Sequence, residues 1–290
     1  MIHRHILHND RVCDSSEPIL RPGQLGLLAG WGVFSTIRVV NGVLFAFNRH
    51  WARMKRDAVL MRVPFPGDAR AFEASLLKLV EANQAWNSTM RVVVVRNRGG
   101  LWESANDRDF DVMALTAEIK EWPAAVRLGV VPQARHAESI FAGTKVLSWA
   151  QNLAWHEEAH DAGFDEVVLL NERDEVAEGT SANIFAVYGS TACTPPLASG
   201  CLPGITRNLL VEEKLVAGID VEERTMRLED LERADQVFIT STTRGLLPVS
   251  FIDGLTIRNE GDVCGRLNVA FEKYVQGYAA ARTVALRPAL

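Results

Sequence analysis

The stretch Val33–Val40 (VFSTIRVV), followed by Asn41-Gly42 and then Val43–Phe47 (VLFAF), constrains the fold more than any other part of the chain. Two runs rich in β-branched and aromatic residues, separated by Asn-Gly, predict a β-hairpin, because Asn and Gly take the positive φ angles of a tight turn at least cost. Helical patterns follow directly. Asn48 is placed to cap a helix through Trp51, Met54 and Ala58, and Ala69–Ala82 carries a second helical period. Arg91–Val95 (RVVVV) and Phe110–Ala117 read as further strands. The first part of the chain therefore mixes strands with helices and is not a helical bundle or an all-β sandwich.

Between residues 118 and 133 (EIKEWPAAVRLGVVPQ) two prolines interrupt any clear period, which predicts a junction between compact regions. The expected organisation is a small N-terminal domain over 1–120, a linker over 121–132 and a larger domain over 133–290. In the second region Lys145 is predicted to enter a helix that ends near Gly163. Strands are expected at Glu166–Leu170, Asn183–Val187 and Gln236–Thr240, with a helix near Arg207–Val216 between the last two. The fold class is α+β in two domains.

A chain of 290 residues is long enough for both domains to bury a core, and 48% apolar with 23% charged residues is an ordinary globular composition. A net charge of −5 supplies no electrostatic reason for a nucleic-acid or anionic-membrane partner. Cys13, Cys193, Cys201 and Cys264 form no Cys-x-x-Cys pair and no disulfide framework. No run of 18 apolar residues occurs, and the start MIHRHILHND lacks an apolar leader core. A cytoplasmic enzyme is the expectation.

Several short constellations bear chemistry. Leu202-Pro203-Gly204-Ile205-Thr206-Arg207 sets a glycine turn before a helix, where free amides and the helix dipole suit an anion. Ile239–Thr243 (ITSTT) ends a strand in a run of four hydroxyl residues. Each alone is equally a plain helix cap or a polar loop. Glu178-Gly179-Thr180-Ser181-Ala182-Asn183 could be a simple turn or could aim a carboxylate into a pocket floor. His156-Glu157-Glu158-Ala159-His160 matches His-Glu-x-x-His, the zinc-peptidase pattern, in which two histidines on one helix face chelate the metal. Glu172, Glu175 and Glu178 are the available third ligands, and no motif selects among them. His3, His5 and His8 alternate in the manner of an edge strand.

Taken in chain order, six pieces resemble the class IV (fold-type IV) pyridoxal 5′-phosphate (PLP) aminotransferases. This group contains the branched-chain and D-amino-acid aminotransferases and 4-amino-4-deoxychorismate lyase. The pieces are Gly32–Arg38, His50-x-x-Arg53-Met54, Thr144-Lys145 with Asn152, Glu178–Asn183, Leu202–Arg207, and Ser241-Thr242-Thr243 with Pro248-Val249. The resemblance spans nearly the whole chain. It implies a small N-terminal α/β domain and a larger, mixed, β-barrel-like domain with helices.

It further implies that Lys145 binds the cofactor covalently and shuttles a proton between Cα and C4′. Glu178 would hold the pyridine nitrogen's proton, and Arg53 would pair with the phosphate. The amides of Ile205 and Thr206 after Gly204, with Thr242, would complete the phosphate cup, and Leu202 would pack on one ring face. The segment of His156–His160 would be a helix that carries no metal. Relatives being dimers or larger, a homodimer is implied.

The family pattern of Gly-Asp-Gly before the first strand, and Glu after its aromatic residue, is replaced here by Gly30-Trp31-Gly32 and Ser35. D-amino-acid specialists resemble one another in a first-strand Tyr and a loop Arg/His pair, where this chain has Phe34, Leu101 and Glu103. The loop Arg96-Asn97-Arg98-Gly99-Gly100 is similar to that of the deoxychorismate lyases but continues Leu101-Trp102. Arg38, Arg96 and Arg98 are candidates for a substrate carboxylate, with the Thr242-Thr243 amides a second option. Phe34, Trp31, Trp102 and Trp149 would line an apolar pocket. The expectation is transfer of the amino group of an L-amino acid, branched-chain type first, to a 2-oxo acid such as 2-oxoglutarate. Pyruvate elimination from 4-amino-4-deoxychorismate is the alternative.

Overall fold

A computed structural model describes residues 1–20, 24–99 and 107–286. Leu101, Trp102 and Glu103 lie outside the described residues. Two compact units emerge. One comprises Met1–Lys120, Lys145–Trp149 and Val275–Leu290, and the other comprises Glu121–Thr144 with Ala150–Tyr274.

The first unit contains β1 (Ile2–His8), β2 (Arg11–Asp14), α1 (Leu25–Ala29), β3 (Gly32–Val40), β4 (Val43–Leu44), α2 (Phe47–Leu60), α3 (Ala69–Ala82), β5 (Ser88–Arg96) and β6 (Phe110–Ala117). Its six-stranded sheet runs β2-β1-β6-β5-β3-β4. The histidine-bearing strand β1 therefore sits one place in from the edge, which is taken by the four-residue β2. Alternation decides which side chains enter the core. Val33, Ile37 and Val39 of β3 and Met90, Val92 and Val94 of β5 join Phe47 and Met54 of α2 and Leu76 and Leu79 of α3. α3 starts where expected because Asp68 accepts the amides of Arg70 and Ala71, at 2.8 and 3.2 Å. α2 starts differently. Its N-cap is Ala46 in the left-handed region (φ 52°), one residue before Phe47, so Asn48 lies inside the helix. The tight return from β4 sets that boundary.

The hairpin partner β4 covers only Val39 and Val40 of β3, leaving the other end of that edge open. Residues 145–147 add to it: Phe34 N–H donates to Lys145 C=O at 3.1 Å, and Leu147 N–H donates to Gly32 C=O at 3.0 Å. A Cβ at Gly32 would come within 2.5 Å of Val94 O and Leu147 Cδ1, so only glycine admits both neighbours. Lys145 thus lies in an extended segment, not at a helix start as expected. The following helix, α4, begins only at Ala150.

The second unit holds β7 (Val126–Arg135), α4 (Ala150–Asp161), β8 (Glu166–Asn171), β9 (Val176–Glu178), β10 (Asn183–Tyr188), β11 (Thr191–Thr194), α5 (Ile205–Glu213), β12 (Asp220–Glu223), α6 (Leu228–Arg233), β13 (Gln236–Ser241) and β14 (Gly245–Ile252). The last helix, α7 (Val263–Leu286), belongs to this unit up to Tyr274 and to the first from Val275. Eight strands in the order β12-β11-β10-β13-β14-β7-β8-β9 form one mixed sheet, curled in the barrel-like manner expected. Its core includes Leu128, Val168, Ile184, Val237, Ile239 and Val249. Residues 126–132, expected as linker, are a central strand, with Pro132 tolerated at a register shift between Val131 and Arg135. Among the described residues no helix is long and apolar enough to cross a membrane.

Candidate active site

In the first unit, chemistry gathers around Lys145. Its Nζ lies 4.5 Å from the centroid of the Phe34 ring and 5.8 Å from that of Trp149. These two rings meet edge-on at 5.9 Å. The Arg91 guanidinium stacks on the same Phe34 ring at 4.0 Å. The register explains the meeting: Thr36 pairs with Arg91, and Phe34 is its diagonal neighbour on that face. No hydrogen bond or carboxylate partner holds Arg91 among the described residues, and burial pulls its pKa below the ordinary guanidinium value. Arg91 is absent from the residues nominated by sequence. A signal for it exists, since burial of Met90, Val92 and Val94 puts Arg91 on the opposite face of β5.

Below β3, α2 presents His50, Arg53 and Asp57, spaced to share one helix face. Ser35 points to this side. Its Oγ lies 2.7 Å from His50 Nδ1 and accepts from Arg53 Nη2 at 2.9 Å. Burial, then Arg53, then Lys145 push the His50 pKa well below the usual imidazole value, so His50 is neutral near pH 7. Burial brings Arg53 down to about 10, against support from Asp57, and it stays charged. Asp57 is fully buried; Oδ1 accepts from Arg56 Nε at 2.9 Å, and Oδ2 accepts the backbone N–H of Lys145 at 3.1 Å.

In the second unit, β9 ends on Glu178, whose two oxygens are both engaged. Arg135 Nε donates to Oε1 and the Leu202 amide to Oε2, each at 2.9 Å. Arg135 Nη2 reaches Asn152 Oδ1 at 3.2 Å, and Asn152 Nδ2 donates to Thr180 C=O at 2.8 Å. Asn183 Nδ2 donates to Leu202 C=O at 2.8 Å. A Cβ at Gly204 would lie 2.0 Å from Asn183 Oδ1, so a larger residue there would push the Asn183 side chain off Leu202 C=O. α5 begins there with no side-chain cap, leaving the amides of Ile205 and Thr206 without one. Thr242 and Thr243 sit half-buried in the turn between β13 and β14.

Glu166 braces two of these pieces. It accepts from the Thr180 amide at 2.9 Å, from the Thr180 hydroxyl, and from Ser181 Oγ at 2.7 Å. Arg244, in the turn that carries Thr242 and Thr243, pairs with it at 3.2 Å and stacks on Trp122 at 4.3 Å. Burial pushes the Glu166 carboxyl up, but Arg244, Thr180 and Ser181 outweigh it and hold the group below the usual carboxyl range.

Arg96 donates to Arg98 C=O at 2.5 Å and to Arg62 C=O, and it covers the Trp31 ring at 4.4 Å. Arg98 faces Asp109 at 3.4 Å on the surface. Arg38 is half-buried on β3. In the His-Glu-x-x-His stretch, Glu157 and His160 are exposed on α4. The acids nominated to complete a zinc site are committed elsewhere: Glu172 to the Ala137 amide, Glu175 to Arg173 and Glu178 to Arg135.

Each unit taken by itself offers donors of the kind a phosphorylated pyridine aldehyde needs: in the first, a lysine on an aromatic floor and a buried arginine; in the second, uncapped helix amides after Gly204 and a carboxylate held by fixed donors. Comparison with known proteins agrees. The model of the amino-transferase class IV family matches residues 32–252, and the chain belongs to that family. A D-alanine aminotransferase of Bacillus licheniformis is 28% identical over 260 residues, covering 87% of this chain and 89% of its own. A branched-chain-amino-acid aminotransferase of Salmonella typhimurium is 25% identical over 266 residues, covering 83% of each. The T.th. branched-chain amino acid aminotransferase, solved in complex with N-(5′-phosphopyridoxyl)-L-glutamate, is 26% identical, with 95% of each chain covered and a TM-score of 0.85. The protein is a class IV aminotransferase, and its cofactor is PLP.

Proposed function

We propose that the enzyme transfers the amino group of an L-amino acid of branched-chain type to a 2-oxo acid such as 2-oxoglutarate. The observation that carries this reading is Arg91, a cation with no internal acceptor among the described residues, stacked on the ring that also lies under Lys145 Nζ. A carboxylate-bearing substrate with an apolar side chain matches that pairing of one cation with an aromatic floor.

Bound PLP supplies the electron sink for the reaction. Lys145 would hold the cofactor and move the proton at the substrate Cα. Glu178, kept in place by Arg135 and the Leu202 amide, would hold a proton at the pyridine nitrogen, and Leu202 would pack on the ring. Arg53, the amides of Ile205 and Thr206 after Gly204, and Thr242 would hold the phosphate. Phe34 and Arg91 orient the substrate, with the Thr243 amide, Arg38, Arg96 and Arg98 as further contacts to its carboxylates. The enzyme works as a homodimer, a state that sedimentation velocity reads directly.

A coupled assay with leucine, D-alanine or 4-amino-4-deoxychorismate as substrate tests the reading. Leucine with 2-oxoglutarate should turn over fastest. Faster turnover of D-alanine would overturn the stereochemical choice. Pyruvate release from 4-amino-4-deoxychorismate, without leucine transamination, would replace transfer by elimination.

A further inference from the structure

We propose that Asp57 is a positioning residue for Lys145, setting where the lysine's amine stands by gripping its backbone. The inference rests on Lys145 being the residue that attaches PLP.

Lys145 belongs to a five-residue segment, Lys145–Trp149, inserted into the first unit while the chain on both sides belongs to the second. Its peptide is held on both sides. The C=O accepts from Phe34 N–H at 3.1 Å, as any added strand would arrange. The N–H donates to Asp57 Oδ2 at 3.1 Å, 88 residues away in sequence. A carboxylate is a stronger acceptor than a neutral carbonyl.

Asp57 is itself immobilised. It is 0% exposed on α2, its other oxygen is bound by Arg56, and it lies one helical turn beyond Arg53, whose charge it supports. One side chain thereby fixes the lysine's main chain relative to the helix that bears the buried arginine. Without it, the N–H at the root of the reactive side chain would lose its acceptor. Displacement of a reacting group by about 1 Å costs on the order of 100-fold in rate.

The test uses the full-length apoenzyme. PLP is added, and covalent attachment at Lys145 is followed by the near-visible band and by borohydride trapping with peptide mass spectrometry. Asp57→Ala should slow attachment roughly 10- to 100-fold. Asp57→Asn still offers an amide oxygen to the same N–H and should recover to within about fivefold of wild type. Asp57→Leu, which fills the volume without an acceptor, stands in if the alanine variant does not fold, and it should be slowed as alanine is.

Attachment at the wild-type rate in the alanine or leucine variant overturns the proposal. So does equal slowing in all variants that tracks their loss in melting temperature, the signature of a merely structural role. Lys145→Ala is the separate control: if it still yields the trapped adduct elsewhere at the wild-type rate, the assignment of Lys145 fails, whatever Asp57 does.

Discussion

The two units follow opposite electrostatic plans. Around Lys145 in the first unit, the cations Arg53, Arg91 and Lys145 share one neighbourhood with one buried carboxylate among the described residues, Asp57. In the second unit each buried carboxylate has its own guanidinium, Arg135 for Glu178 and Arg244 for Glu166. The first arrangement keeps an excess of positive charge in a partly desolvated place, which favours incoming anions such as a phosphate or a substrate carboxylate. The second is internally neutralised and serves as a frame that presents a carboxylate and backbone amides at fixed positions. Binding power and rigidity are thus assigned to different parts of the chain.

Variants on either side test this division. The largest effect falls on chemistry: Lys145→Ala should abolish the near-visible cofactor band and lower kcat by at least about 10³-fold, within the range of a lost proton-transfer group. Its urea midpoint should barely move, because Lys145 is not part of the frame. In the second unit the ranking reverses. Arg244→Met leaves Glu166 buried and unpaired and should cost about 3–5 kcal/mol in urea denaturation. The double variant with Glu166→Gln should recover a large part of that loss, and strict additivity would show that the two groups do not form a pair.

Arg91→Met should raise KM for the oxo acid by about tenfold or more, with a smaller change in kcat, as expected for a lost charge-assisted contact. An unchanged KM would remove Arg91 from the substrate.

The smallest effect is on pH dependence. His50 stays neutral in the fold, while the unfolded imidazole takes up a proton below its ordinary value of 6.5. Its contribution to stability is therefore complete above that pH and falls by about 1.4 kcal/mol per unit below it, until the lower folded pKa is reached. Glu166 has a depressed carboxyl, so its contribution persists until the pH drops under the ordinary 4.5. Stability curves between pH 7.5 and 5 should flatten in His50→Asn and keep their slope in Glu166→Gln.

Much of this architecture is legible from local pattern. The bounds of α3 and of the strand Phe110–Ala117 match their expected residues, because a cap and a clean period act over a few residues. Glu178, Leu202 and Asn183 stand out in short motifs, and their side chains and backbones do meet. Local pattern misplaces Lys145 at a helix start, since the strand edge that claims it is more than a hundred residues earlier. Arg91 is hidden inside a run that reads as a buried strand, and Asp57 inside a helix whose polar residues look like a solvated face.

By itself, the order of residues determined the chemical inventory: one lysine, one arginine, one acid and a glycine-led helix start in a recognisable succession, together with the local elements that bear them. Only the tertiary structure decided the partners, giving the Lys145 amide to Asp57, Glu178 to Arg135, and Phe34 jointly to Lys145 and Arg91. The physical reason is range. Periods, caps and turns arise from contacts within a few residues, whereas a buried charge is satisfied by whichever group packing brings within about 3 Å, and sequence separation places no limit on that.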